Sequence, residues 1–149
     1  MEWEPIGIVV SPVREARDEG WRKVAAEVHL RPEYAGGLAG LADFSHALVL
    51  FHMHEATFDP AQHLARHPRD RADLPLTGIF AQRAKHRPNA IGVSTVRIVG
   101  VEGAVLRVRG LDAVDGSPVV DVKPYVPAFD RRLYARVPRW MDAIMRGYF

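Results

Sequence analysis

Residues 78–94, GIFAQRAKHRPNAIGVS, set Arg83, Lys85, His86 and Arg87 beside a proline and an asparagine, between two apolar runs. Pro88 disfavours helical geometry at Arg87, Asn89 tolerates turn conformations, and Gly92 permits close backbone approach, so these side chains belong to a loop on a rigid sheet. Such a loop suits an anionic or extended ligand; the alternative is a polar arch whose arginines cap backbone carbonyls. A second cluster is HMHE, with His52, His54 and Glu55. Two imidazoles at i and i+2 on a strand point the same way, as metal ligands do in cupin-like barrels, with His63 or His67 as further donors. The bland alternative is a strand histidine hydrogen-bonded at the edge of a core. The third is residues 110–125, GLDAVDGSPVVDVKPY, where Asp112 and Asp115 flank a tight turn and Asp121, Lys123 and Tyr125 alternate along a strand. A carboxylate, an amine and a phenol on one face are the makings of proton transfer.

Other chemistries are excluded by what the chain lacks. It has no cysteine, so disulfides, thiolate nucleophiles and Cys-based zinc or iron–sulfur sites are out. No GxGxxG follows a strand, and there is no P-loop and no GxSxG, which removes support for dinucleotide, nucleoside-triphosphate and α/β-hydrolase readings.

The elements that must position these clusters are mostly strands. PIGIVVSP (5–12) is an apolar run between prolines, and RKVAAEVHL (22–30) alternates as a half-buried strand does. YAGGLAGLADF (34–44), with its glycines, predicts a connecting loop with at most one helical turn. In HALVLFHMHEA (46–56), alternate residues form an apolar face and a face that turns polar toward its end. Residues 57–75 carry prolines and charges without a period, the pattern of a mobile flap. Four runs follow, LTGIFAQR, GVSTVRIVGV, AVLRVRGLDAV and SPVVDVKPYV, broken by Glu102–Gly103 and Asp115–Gly116, which predicts an antiparallel meander. PRWMDAIMRGYF (138–149) predicts a terminal helix with Trp140, Ile144 and Tyr148 on one face. The expected fold is a single mainly β domain, a small antiparallel barrel with short connecting helices and a C-terminal helix.

At 149 residues and 48% hydrophobic content, the chain has material for one core. No apolar run approaches the ~18 residues of a membrane span, and the N-terminus lacks a signal-peptide pattern, so a cytoplasmic protein without membrane partners is expected. The net charge of +2 hides two basic zones. Residues 62–97 hold seven Lys or Arg against two acids, and residues 131–149 hold five Arg against Asp142. Such zones fit a polyanionic partner, or simply a solvated basic face.

Taken together, the motifs IGIVVSP, FSHALVLFHMHE, GIFAQRAKHRPNAIGVS and DAVDGSPVVDVKPYVP resemble the TsaA-like, or TrmO, family of tRNA adenosine N6-methyltransferases, over nearly all of residues 5–130. The resemblance implies a barrel that binds S-adenosylmethionine outside the Rossmann class, forms a homodimer and methylates N6 of an adenosine, the threonylcarbamoylated one next to the anticodon of tRNA. It places cofactor contacts on His54, Glu55, Arg83, the backbone around Val93, and Asp112, Ala113, Val114 and Asp115. Glu19, Gly20 and Trp21 stand where the family has a longer cofactor loop. No metal is implied. Lys85, Arg87 and Asn89, with the C-terminal arginines, would hold RNA, and Asp112, Asp115, His54 and Tyr125 are the candidates for the base. The chain departs from the family at Gln82 and Ala84 around Arg83, at Glu55 and at Ala90, and the additional C-terminal domain of longer members is not expected in residues 1–149. A methyltransferase of another substrate and a non-catalytic S-adenosylmethionine-binding module remain open alternatives.

Overall fold

The computed structural model describes residues 2–149. Six strands close into an antiparallel barrel: β1 (Gly7–Val10), β2 (Ala25–Leu30), β3 (His46–His52), β6 (Ile91–Glu102), β7 (Val105–Arg109) and β8 (Pro118–Pro124), in the order β1-β2-β7-β6-β3-β8. Strict alternation turns Val9, Val28, Ala47, Val49, Val96, Leu106, Val108 and Val119 inward, all within 1% of full burial. Their β-branched and small side chains fill a barrel too narrow for anything else. Two glycines are fixed by close contact. A Cβ on Gly7 would sit 2.3 Å from the His29 carbonyl oxygen across β1 and β2, and one on Gly92 would sit 2.5 Å from the Phe51 ring. The ladder slips at Ile98/Gly100 and at Leu50/Phe51, and such bulges help long strands curve round the wall.

The registers put three connections of the barrel strands, the longest of them included, at one end. Residues 11–24 leave the C-terminal end of β1, residues 53–90 that of β3, and residues 110–117 that of β7, and antiparallel pairing makes these ends neighbours. The opposite end carries residues 31–45, which form two short 3-10 stretches, and the tight turn at 103–104. Strand order thus sets where a site can be built: three loops converge at this mouth.

The predicted meander is not what forms. β6 and β7 do make a hairpin, but β8 lies between β1 and β3, so the Asp115–Gly116 turn joins strands that are not neighbours. LTGIFAQR is not a barrel strand either: Thr77–Gly78 (β5) pairs only with Ala65–Arg66 (β4), and Ile79–Ala81 is a 3-10 turn. The stretch predicted as a flap therefore carries its own structure, opened by a short helix α1 (Pro60–His63) whose N-cap Asp59 accepts from the Ala61 N–H at 3.0 Å. The C-terminal part holds α2 (Pro127–Asp130) and α3 (Arg139–Met145). α3 ends before Tyr148, which leaves the expected helical face for a different task. No helix among the described residues is long and apolar enough to cross a membrane.

Candidate active site

The C-terminal tail returns to the loop-bearing end of the barrel. Gly20 N–H donates to the Gly147 carbonyl and Trp21 N–H to that of Tyr148, both at 2.9 Å. Gly20 has φ of 75°, a left-handed turn that glycine takes without strain. Trp21 is 2% exposed, donates its ring N–H to the Arg17 carbonyl at 2.9 Å, and lies under the Arg17 guanidinium. The 19–21 segment, expected as a cofactor loop, therefore has its tryptophan in the core and its backbone clamped to the C-terminus.

That clamp delivers Tyr148 to Asp112. The phenol donates to Asp112 Oδ2 at 2.8 Å, while the Ser94 hydroxyl donates to Asp112 Oδ1. Ser94 is one of few buried polar residues, facing inward from β6 at a position where its neighbours on that face are apolar. Both carboxylate oxygens thus have a neutral donor, and among the described residues Asp112 has no Lys or Arg ion-pair partner. A carboxylate held this way keeps spare lone pairs on both oxygens. Burial, then the charge of Asp112 and the hydrogen bond to it, push the Tyr148 phenol well above the ordinary tyrosine range, with Asp18 adding to the rise and Arg83 opposing it. Tyr148 is a permanent donor. The Arg83 guanidinium donates to the carbonyl of Val93 at 2.8 Å, and Val93 is next in the chain to the Ser94 that holds Asp112.

Of the residues picked from sequence, Asp112, Arg83 and Val93 are brought together here. Asp115 is not free for chemistry: its carboxylate accepts from Ser11 N–H at 3.0 Å and its N–H donates to the Val13 carbonyl at 2.8 Å, pinning the turn to the chain after β1. Ala113 and Val114 are buried, Ala113 almost completely, and pack into the core behind Asp112. Tyr125 stands at the far end of the barrel, its N–H bonded to the His46 carbonyl and its ring edge-on to His46, away from Asp112. The expected convergence of Asp121, Lys123 and Tyr125 holds for two of the three: Lys123 Nζ pairs with Asp121 Oδ2 at 2.6 Å, which also raises the lysine's pKa, while Tyr125 turns to His46. The phenol that does meet a carboxylate is Tyr148. Nothing in residues 138–149 flagged it, because a helical reading placed it among packing residues.

His52 ends β3 and packs edge-on to Trp3, whereas His54 lies beyond the strand on an exposed turn with Glu55, so the two imidazoles do not form a strand pair. Among the described residues no group of three or more His, Asp or Glu could hold a metal. The His54–Glu55 turn is tied to the RPNA turn: Met53 N–H donates to the Ala90 carbonyl at 2.8 Å, and His86 Nδ1 lies 2.8 Å from the Thr57 carbonyl. His86 also stacks on His63, with centroids 4.8 Å apart. Asn89 takes φ of 62°, the left-handed turn expected of it. Arg87 is half-buried and donates to the Gln82 carbonyl at 3.0 Å, and Gln82 in turn holds the carbonyls of Arg66 and Thr77. Both arginines of the arch therefore cap carbonyls, while Lys85 is exposed and enters no ion pair among the described residues.

The donor set fits S-adenosylmethionine in kind. A ligand with a sulfonium, an ammonium and a carboxylate needs anions and a cation close together, and Asp112, exposed Glu55 and Arg83 at one barrel end supply them.

A probable S-adenosyl-L-methionine-binding protein of Pyrococcus abyssi is 39% identical over 94% of this chain and 76% of its own length. The tRNA (adenine(37)-N6)-methyltransferase of Escherichia coli is 38% identical over 85% of this chain, which spans 58% of that enzyme. Among solved structures, TrmO from Pseudomonas aeruginosa superposes with a TM-score of 0.76 at 32% identity, covering 94% of this chain and 61% of that one. The profile of the tRNA-methyltransferase O N-terminal domain matches residues 15–131, and with this barrel and these motifs the chain belongs to that family.

Proposed function

We propose that this chain uses S-adenosylmethionine to methylate N6 of the adenine at position 37 of tRNA, beside the anticodon. The observation that carries the reading is the Asp112 carboxylate, held without a cationic partner by Tyr148 and by Ser94, next in the chain to the Val93 that Arg83 caps. When bound, S-adenosylmethionine supplies an electrophilic methyl group whose S–C bond breaks as the N6–C bond forms. The protein's work is alignment and removal of the N6 proton. Asp112 accepts that proton with a lone pair its two donors leave free, and Ser94 with Tyr148 fix the direction in which it points. Arg83 holds the cofactor's carboxylate, and the exposed His54–Glu55 turn lies at the same mouth to face its cationic side. Lys85 meets an RNA phosphate, while Arg87 and Asn89 shape the turn that presents it. An anticodon loop is single-stranded, so its base can be turned out into a shallow mouth. The homodimer and the cytoplasmic setting belong to the same reading.

The test is incubation of the chain with methyl-labelled S-adenosylmethionine and tRNA, followed by nucleoside analysis. Label in N6-methylated adenosine from position 37 is expected. Label in another acceptor would redirect the reading to a different methyltransferase, and saturable binding without transfer to a non-catalytic module.

A further inference from the structure

We propose that the outer wall of the barrel beside the site is a phosphate track for the RNA, formed by Arg97 and Arg109; this rests on the tRNA reading above. Arg97 on β6 and Arg109 on β7 are register partners, both exposed and therefore on the same outer face. Like charges directly opposite in adjacent strands destabilise a sheet. This wall shows how such a cation is ordinarily neutralised: Arg107, two residues along β7, pairs with Glu27 across to β2 and with Glu102. Neither Arg97 nor Arg109 has an acidic partner among the described residues. The next partners along the row are His46 on β3 and Ala25 on β2, neither of which carries a negative charge. Arg109 also lines an open groove of ≈ 400 Å³ with Ala25, Val99 and the Glu27–Arg107 pair, so there is space around its guanidinium, and the one acid of that groove is already paired with Arg107.

The pair is joined to the candidate site by the strands themselves. Arg97 is on the same outward face of β6 as Thr95 and Val93, and Val93's carbonyl is the one Arg83 caps. At about 3.4 Å per residue, Arg97 lies roughly 13 Å along the wall from Val93. On β7, Arg109 precedes Asp112 by three residues, and Arg97 follows Ser94 by three. Cations at Arg83, then at Arg97 and Arg109, thus lead away from Asp112 down one side of the barrel. A backbone carrying one phosphate per nucleotide neutralises such a row without any reading of bases. The stability given up by leaving two facing arginines unpaired is the mark of a binding surface.

The experiment measures binding of a tRNA transcript by the whole chain at several salt concentrations, for wild type, R97A/R109A and R107A, with S-adenosylmethionine affinity measured in parallel. The track predicts that R97A/R109A binds tRNA roughly three- to tenfold more weakly at low salt, with its log–log salt slope reduced by about 1.5, two single-strand phosphate contacts. S-adenosylmethionine affinity stays unchanged and the melting temperature does not fall, because a repulsive pair has been removed. R107A, already neutralised, changes tRNA affinity less than about twofold with an unaltered slope. Equal affinity and slope in wild type and R97A/R109A would overturn the track while leaving the methylation reading intact. A loss as large in R107A would also overturn it, by showing that bulk charge and not this pair is sensed. Wild type that binds S-adenosylmethionine but no tRNA would overturn the tRNA reading itself. Should the alanine pair fold poorly, R97Q/R109Q keeps side-chain length and carries the same expectation.

Discussion

Replacing Tyr148 with phenylalanine tests the core of the site without touching the barrel. The substitution deletes one hydroxyl whose partner, Asp112 Oδ2, lies 2.8 Å away. A hydrogen bond to a charged acceptor contributes about 1.5–3 kcal/mol, and a partly exposed ring belongs at the low end, so about 1.5 kcal/mol is expected at pH 8. For a domain of this size, roughly 2–4 °C accompany each kcal/mol, giving Y148F a melting temperature about 3–6 °C lower. The pH dependence has a definite sign. The folded state binds the phenolic proton more tightly than the unfolded chain, whose tyrosine titrates near 10.0. Below that pH both states hold the proton and the contribution is complete. Above it only the folded state does, so wild-type stability falls by up to about 1.4 kcal/mol per pH unit, less where solvent screens the ring. Y148F has no such proton to lose. Its deficit at pH 8 therefore shrinks toward zero by about pH 11, and thermal melts by circular dichroism at pH 8, 10 and 11 read the convergence directly. Parallel loss in both proteins, with a constant gap, would show that the phenol does not sit against Asp112 in solution.

Other consequences are as direct. D112N keeps the side chain's shape but puts an N–H donor where one oxygen accepted, and it cannot take a proton; at saturating S-adenosylmethionine, methyl transfer to tRNA should fall about 10²- to 10⁴-fold, and a rate within threefold of wild type would remove Asp112 as the proton acceptor. In G92A the new methyl meets the Phe51 ring at 2.5 Å in a barrel with no slack, so denaturant melts should show a loss of about 1–3 kcal/mol, and a neutral substitution would mean that the wall is looser than described. H86A removes the stack on His63 and the contact with the Thr57 carbonyl. Limited proteolysis within residues 57–75 should then accelerate severalfold while the melting temperature of the barrel holds, and an unchanged cleavage rate would show that the histidine stack does not hold this segment down.

The barrel could be read from the chain because its cause is local. Alternation in HALVLFH and the β-branched runs of β6 and β7 set which face is buried before any tertiary contact forms. Strand order is different in kind. β8 sits between β1 and β3 through pairings more than sixty residues apart in sequence, and no property of SPVVDVKPYV itself says which edge it will find. Hence the expected meander failed while the expected class held. The site divides in the same way. Asp112 and Arg83 were visible as polar residues in otherwise apolar or turn-forming stretches, and the resemblance marked both. The role of Tyr148 depends on two backbone hydrogen bonds from Gly20 and Trp21 to Gly147 and Tyr148, a contact between chain segments about 127 residues apart that no periodicity records. Ser94 was hidden in plain view, a serine within IGVSTVRIVG that alternation puts among inward-facing valines. A buried hydroxyl there is costly unless it has a partner, and the partner is Asp112. The residues that sequence reasoning misses are thus the ones whose cost is repaid by something distant, which is also why they converge at the end of the barrel where three loops meet. The unpaired arginines of the outer wall follow the same logic one step further: no acid among the described residues offsets their repulsion, and a bound phosphate backbone would supply the compensating charge.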